Sequence, residues 1–228
     1  MSEKSIWYLE GLDIGTILCP NKLGEHVNEK NSKLIKKNEY VYLPDDKSDV
    51  IYFISDGRVK IGSTSDDGKE IIKAILDKGE VFGELSLIGE STRRDYAIAV
   101  EDTQLCCIDS EEMKSLIKDR GSLSMFFMKI MGSKVLEMEN RLQSLVFKDS
   151  RSRIIEYLTG LVNKRGQRVG YEWVVRNFIT HQEIANLTAT SRQTVTTVLN
   201  ELRGSEIITF NRKRLLVRDL DKLSGEIK

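Results

Sequence analysis

Histidine is almost missing from this chain, cysteine is scarce and proline scarcer still, and each shortage removes a class of protein. His26 and His181 are the two histidines, and no nucleophile elbow, metal-ligand cluster or phosphate-binding loop accompanies them. Hydrolytic and metal-assisted chemistry therefore has nothing to work with: no catalytic residue and no metal ligand is assigned, and an enzyme is not expected. Three cysteines, Cys19, Cys106 and Cys107, cannot supply the four thiolates of an iron–sulfur cluster, and they suit a reducing compartment. Cys106 and Cys107 are neighbours in an expected strand, so they point to opposite faces and read as packing residues. Cys19-Pro20 reads as a loop cysteine, with a thiolate ligand to haem as the rarer alternative for so short a pattern. No apolar run approaches the length of a membrane span, and the opening MSEKSIWYLEG lacks the basic-then-apolar layout of a signal peptide. A cytoplasmic protein without membrane contact is expected.

The 228 residues that are present suffice for two domains, and their charge divides accordingly. The formal net charge is zero, yet residues 1–150 carry 21 Lys and Arg against 27 Asp and Glu, while residues 151–228 carry 14 against 8. A net charge of −6 is thus followed by one of +6. A cationic last third neutralises phosphates and releases counterions, so a polyanion site belongs there.

Within that third, the run from Thr180 to Arg203, THQEIANLTATSRQTVTTVLNELR, reads as two short helices split by a tight turn. Ile184, Ala185 and Leu187 give the first an apolar patch, and Val195, Val198, Leu199 and Leu202 give the second an inward stripe. The opposite face of the second helix holds Arg192, Gln193, Thr196, Thr197 and Asn200 and no carboxylate. Thr190 or Ser191 can cap this helix, Thr190 and Gln193 having capping-box spacing. A helix entering the major groove by its N-terminus offers backbone N–H groups to phosphate, Arg192 to guanine O6 and N7, and Gln193 to adenine N6 and N7. The plainer alternative is an amphipathic helical hairpin with a solvated polar face. Downstream, Ile207 to Phe210 and Leu215 to Val217 flank Asn211-Arg212-Lys213-Arg214. That predicts a β-hairpin whose basic tip, with Asn211, Arg212 and Lys213, would touch phosphates.

Upstream, residues 1 to about 36 read as helical and irregular, anchored by Leu12, Ile14, Ile17, Leu18, Leu34 and Ile35. From Asn38 short strands follow, at 40–43, 50–54, 58–61, 71–76, 97–100 and 105–108, separated by Asp56-Gly57, Asp67-Gly68 and Lys78-Gly79. That rhythm predicts a compact all-β roll or barrel. Inside it, Val81 to Gly89 with Arg93-Arg94 beyond is either an anion cradle on a glycine-flanked short helix or a turn in which Glu84 pairs with Arg94. Helical spacing returns at Ser110-Glu111-Glu112, which reads as a capped start, and continues from about Ser122 to Phe147. Met128, Met131, Val135, Met138, Leu142 and Leu145 step by three and four residues, a narrow a/d seam that predicts a homodimer, with Lys134 at g opposite Glu139 at e. After Asp149-Ser150 an amphipathic helix with Ile154, Ile155, Tyr157, Leu158 and Leu161 opens the basic domain, and Asn163 to Gly170 reads as a polar loop.

The order of these parts resembles the Crp/Fnr family of bacterial transcription regulators over nearly the whole chain. Three strings carry the resemblance: Tyr52-Phe53-Ile54-Ser55-Asp56-Gly57-Arg58-Val59, Phe82-Gly83-Glu84-Leu85-Ser86-Leu87 and Ser191-Arg192-Gln193-Thr194-Val195. It implies an α+β chain: an antiparallel, jelly-roll-like β-roll sensory domain over 1–121, a long dimerisation helix and hinge over 122–148, and a winged helix-turn-helix DNA-binding domain over 149–228. It further implies a homodimer on a palindromic operator of double-stranded DNA, RNA polymerase as a partner, and an effector that reorients the DNA-binding domains about a hinge near Phe147-Lys148-Asp149. By the same resemblance Arg192 and Gln193 would read bases, with Thr197 one turn on and Thr196 beside it, while Gln182 and Ser191 would hold phosphates.

The effector pocket so implied holds Gly83, Glu84, Leu85, Arg93, Arg94 and Asp95, with Met138 and Glu139 from the long helix. In cyclic-AMP sensors of the family the arginine matching Arg94 pairs with the phosphate and a Ser or Thr follows it. Here Asp95 follows, and its carboxylate repels a cyclic phosphate. The adenine-binding Thr-Ser pair is replaced by Met138 and Glu139. Cyclic AMP is accordingly disfavoured, and another small anion, or no ligand, is expected. Ala189 stands where the family's turn often has Gly. The alternative from another class is a cyclic-nucleotide-binding regulatory module that acts through protein partners rather than DNA.

Overall fold

Short apolar segments punctuated by glycine turns bury themselves best by pairing, and in the computed structural model, which describes residues 8–9, 12–13 and 32–227, they do so in antiparallel sheets. β1 (Tyr8–Leu9) and β2 (Leu12–Asp13) pair with each other. Then come β3 (Ser32–Ile35), β4 (Tyr40–Tyr42), β5 (Val50–Asp56), β6 (Val59–Thr64), β7 (Glu70–Leu76), β8 (Val81–Phe82), β9 (Tyr96–Ala99) and β10 (Thr103–Asp109). They form two four-stranded sheets, of order β3-β10-β5-β8 and β4-β9-β6-β7. Gly57 closes the β5–β6 hairpin at φ 87°, where an added Cβ would lie 2.6 Å from Thr103 Oγ1, so nothing larger fits.

The first sheet is covered on both faces. Ile35, Ile54, Phe82 and Leu105 meet Tyr42, Val59, Ile61, Leu76, Ala97 and Ala99 of the second sheet. On the other face Ile51, Phe53, Val81, Cys106 and Ile108 lie under Met113 of α1 (Ser110–Asp119) and Leu123, Phe126, Phe127 and Ile130 of α2 (Gly121–Phe147). This two-sided burial, about 1.5–3 kcal/mol for each large side chain, explains why β5 and β10 read as almost unbroken apolar runs. Cys106 and the free thiol of Cys107 accordingly turn to different clusters.

Three local expectations are corrected. The N-terminal stretch expected to be helical is β where it is described, and Ser32–Ile35 pairs with β10. Lysines at 33, 36 and 37 mask a strand whose Ile35 is fully buried while Leu34 faces outward. Ile14, Ile17, Leu18, Cys19 and His26 lie outside the described residues. Helix α1 is capped by Asp109, whose side chain accepts from Glu111 N and Glu112 N, rather than opened by Ser110 as a cap. Asn163–Gly170 is not a loop: α3 (Ser150–Arg165) runs into it and β11 (Gln167–Val169) follows. All three β11 residues are exposed, so no inward and outward alternation marks them.

The chain parts into two compact units, residues 1–133 and 134–228, between Ser133 and Lys134 inside α2. The second unit combines the end of α2 and α3 with a sheet of order β11-β12-β14-β13, where β12 is Glu172–Arg176, β13 Ile208–Phe210 and β14 Arg214–Val217. Helices α4 (His181–Leu187), α5 (Arg192–Gly204) and α6 (Leu220–Gly225) complete it. The segment at Phe147-Lys148-Asp149 is stapled within this unit: Glu156 accepts from Ser144 Oγ (2.5 Å) and Lys148 Nζ (2.6 Å), and Arg153 Nη1 donates to Lys148 O (2.8 Å). Among the described residues no helix is long and apolar enough to cross a membrane.

Candidate functional site

The two-helix unit is set by its caps. Thr180 Oγ1 accepts from Glu183 N (3.2 Å) while the Glu183 carboxylate accepts from Thr180 N (2.8 Å), a capping box worth about 1 kcal/mol at the start of α4. The box expected at Thr190 and Gln193 does not form; Ser191 caps α5 instead, its Oγ accepting from Thr194 N at 3.0 Å. Between the helices, Thr188 is buried and both its N and Oγ1 donate to Ile184 O, at 2.9 and 2.8 Å. Ala189 then takes φ 50°, left-handed, at a cost of about 1–2 kcal/mol for a residue with a Cβ. Two arginines meet the carbonyls of this turn. Arg141 Nη2 donates to Leu187 O (2.9 Å), and Arg153 donates through Nε to Thr188 O (2.9 Å) and through Nη2 to Ala189 O (3.1 Å).

Helix α5 buries Val195, Val198, Leu199 and Leu202 and leaves Ser191, Arg192, Gln193, Thr197 and Asn200 exposed. Thr196, counted with that face, is only half-exposed: its Oγ1 donates to Arg192 O (2.9 Å) and lies 2.9 Å from His181 Nδ1. It serves to join α4 to α5. Burial, and after it the charge of Arg192, hold the His181 imidazole below its ordinary pKa. Phe210, at the end of β13, is a junction that the sequence does not advertise. His181 meets it edge-on at 5.6 Å, Phe178 approaches at 6.4 Å, and the Arg203 guanidinium sits 5.3 Å over its ring. The β13–β14 hairpin is thereby fixed to the helices. At its tip Asn211 Oδ1 accepts from Lys213 N (2.8 Å) and Arg214 N (3.0 Å), so Asn211 shapes the turn while Arg212 and Lys213 stand exposed. Gln182 is exposed on α4, its amide donating to Asn186 Oδ1 at 2.8 Å.

In the roll, Gly83 opens the short helical turn Glu84–Ile88 at φ 78°. Glu84 is buried and Leu85 half-buried. The adjacent arginines part company. Arg93 is 3% exposed, donates through Nη1 to Gly83 O (3.2 Å) and through Nη2 to Val50 O (2.5 Å), and lies 4.6 Å over the Tyr42 ring. The Arg94 side chain is 83% exposed and pairs with Glu90 at 3.1 Å. Asp95 accepts from Tyr42 Oη (3.2 Å) and Lys73 Nζ (3.1 Å). Burial pushes the Tyr42 phenol far up, and the Asp95 charge adds to it. Met138 and Glu139 are exposed residues of α2 in the second unit.

Along α2, Met128, Val135, Met138 and Leu142 are each at least 60% exposed, Leu145 is exposed and Met131 half-buried. Leu136, Val146 and Phe147 are also uncovered. The apolar surface on this helix is therefore broader than the predicted seam.

Residues 32–120 match the family described as the cyclic nucleotide-binding domain, and residues 152–225 match the Crp-like helix-turn-helix domain. The chain is 29% identical over 193 residues to the global nitrogen regulator of Nostoc sp., covering 84% of this chain and 86% of that protein. It is 28% identical over 184 residues to the CRP-like cAMP-activated global transcriptional regulator of Mycobacterium tuberculosis, covering 81% and 82%. Its structure is similar to that of a CooA mutant from Carboxydothermus hydrogenoformans, with a TM-score of 0.74, 26% identity and coverage of 86% and 87%.

Proposed function

The chain belongs to the Crp/Fnr family of transcription regulators, and on that premise we propose that it is a cytoplasmic, homodimeric regulator that reads a palindromic operator with the N-terminus of α5. The observation that carries this reading is the exposed, carboxylate-free start of α5, with Arg192, Gln193 and Thr197 on its outer face. Arg192 and Gln193 contact base edges; Gln182, Ser191 and the Arg212-Lys213 tip contact phosphates. The uncovered apolar surface of α2 supports pairing with a second copy, which places two half-sites about one helical turn, ~34 Å, apart. RNA polymerase is the further partner of such a complex. The roll senses a small effector for which cyclic AMP is disfavoured, because Asp95 follows Arg94 in the chain and holds its carboxylate against Tyr42 Oη and Lys73 Nζ.

Selection of bound duplexes from a random pool, followed by titration of Arg192→Ala, tests the reading. The variant is expected to lose roughly 10–100-fold in affinity and to relax preference at one base pair. Unchanged affinity and preference would remove Arg192 from base reading. Binding that fails to weaken on raising salt would point instead to a protein-docking module.

A further inference from the structure

We propose that Arg141 and Arg153 are positioning residues for base reading: together they hold the strained turn at Ala189 and so set the angle at which α5 leaves α4. The inference rests on the DNA-reading role assigned above. Three successive carbonyls, those of Leu187, Thr188 and Ala189, close the C-terminal end of α4, and all three accept from these two guanidiniums. A cation at a helix C-terminus also meets the negative end of its dipole. Ala189 lies two residues before Ser191, the cap of α5, so its backbone angles aim the recognition helix.

An alanine does not stay left-handed by its own preference, and glycine would. Something must hold it. Arg153 is anchored for that purpose, since the same guanidinium donates to Lys148 O at 2.8 Å and to Ser150 Oγ at 3.4 Å. Arg141 reaches the turn from α2 itself. The turn is thus tied to the end of the helix proposed to pair, and a shift in that helix is passed to α5 through two side chains rather than through the covalent link alone.

The test uses the full-length chain, a duplex it selects from a random pool, and an unrelated duplex of equal length. Arg153→Gln is expected to lose roughly tenfold on the selected duplex and less than about twofold on the unrelated one, because phosphate contacts survive when the reading angle does not. Ala189→Gly alone stays within about twofold, and added to Arg153→Gln it recovers at least about threefold, since glycine keeps the left-handed turn unaided. A merely structural loss would lower both affinities and gain nothing from removal of the Ala189 methyl. Arg153→Gln binding as tightly as wild type, or a double variant no better than Arg153→Gln, overturns the positioning role while DNA reading stands. Failure to select any duplex overturns both. If Arg153→Gln does not fold by circular dichroism, Arg153→Lys and Arg141→Gln take its place under the same criterion, regain of affinity with Ala189→Gly.

Discussion

Gly83 in the roll and Ala189 between α4 and α5 are both left-handed residues whose carbonyl accepts from an arginine, but the two turns leave very different room. At Gly83 a Cβ would stand 2.8 Å from Val50 O and 3.0 Å from Arg93 Nη1, and the arginine is itself enclosed by the aromatic side chains of Tyr42 and Tyr52. Ala189 already carries its Cβ, and it is exposed. The same device is once sealed into a core, where close packing and a buried arginine together fix the backbone, and once laid beneath a surface turn, where hydrogen bonds alone fix it. A turn held only by hydrogen bonds can be retuned without unfolding its surroundings, which suits a reading head; a sealed turn suits a body that must keep its shape.

The largest effect expected from this contrast is at Gly83. Gly83→Ala forces a Cβ against backbone at a positive φ and should destabilise the roll by roughly 2–4 kcal/mol. Amide hydrogen exchange in β5 and β8 reads it directly: protection lost there, and retained in α5, is the expected pattern. Arg93→Met comes next. It leaves the carbonyl of Val50 without its guanidinium at about 1–3 kcal/mol, while Gly83 O keeps the Ser86 hydroxyl at 2.9 Å, and the loss is partly offset because the buried Arg93 Nε, which has no hydrogen-bond partner, goes too. A net loss of about 2 kcal/mol in urea unfolding is expected. Stability equal to wild type would mean that sterics at Gly83 suffice without the arginine.

At Ala189 the same exchange of one methyl runs the other way. Ala189→Gly relieves about 1–2 kcal/mol of left-handed strain, while the unfolded chain gains about 0.4–1 kcal/mol of conformational freedom. The difference is within about 1 kcal/mol, on the stabilising side, and a thermal melt of the second unit should show a slight rise or none. A fall as large as that at Gly83 would erase the distinction between the two turns.

Much of this was legible because it is local. Glycine dipeptides marked the roll's hairpins, steps of three and four marked the apolar line on α2, and the absence of carboxylates marked the outer face of α5. What escaped depends on contacts distant in sequence. Arg153 meets carbonyls 35 and 36 residues on, and Arg141 one 46 residues on, yet on a helical wheel both look like solvated charges. Phe210 is one aromatic at a strand end until Phe178, His181 and Arg203 converge on it. Arg93 and Arg94 show the limit most plainly: adjacent residues turn opposite ways, and only packing against Tyr42 decides which is taken inside. The capping box at Thr180 and Glu183 was open to pattern reading, but the equal spacing of Thr190 and Gln193 drew attention to the wrong helix.

The smallest expected effect comes from a hydrogen bond that titrates. His181 joins α4 to α5 through Thr196. Its pKa in the folded unit lies below the ordinary 6.5, from burial first and the Arg192 charge second, so the unfolded chain takes up the proton more readily than the folded one. Stability from this residue is therefore complete above about 6.5 and declines as pH falls through the folded value. Glu156 contributes in a lower window. Burial alone would raise its carboxyl, but the Lys148 and Ser144 hydrogen bonds and the Lys148 charge outweigh it, so its contribution is lost only below the ordinary carboxylate range. Between pH 7 and 5 the second unit should lose less than ~1 kcal/mol, and His181→Gln should flatten that slope. A slope unchanged in His181→Gln would move the acid sensitivity elsewhere and leave the junction of α4 and α5 as fixed as the turn at Gly83.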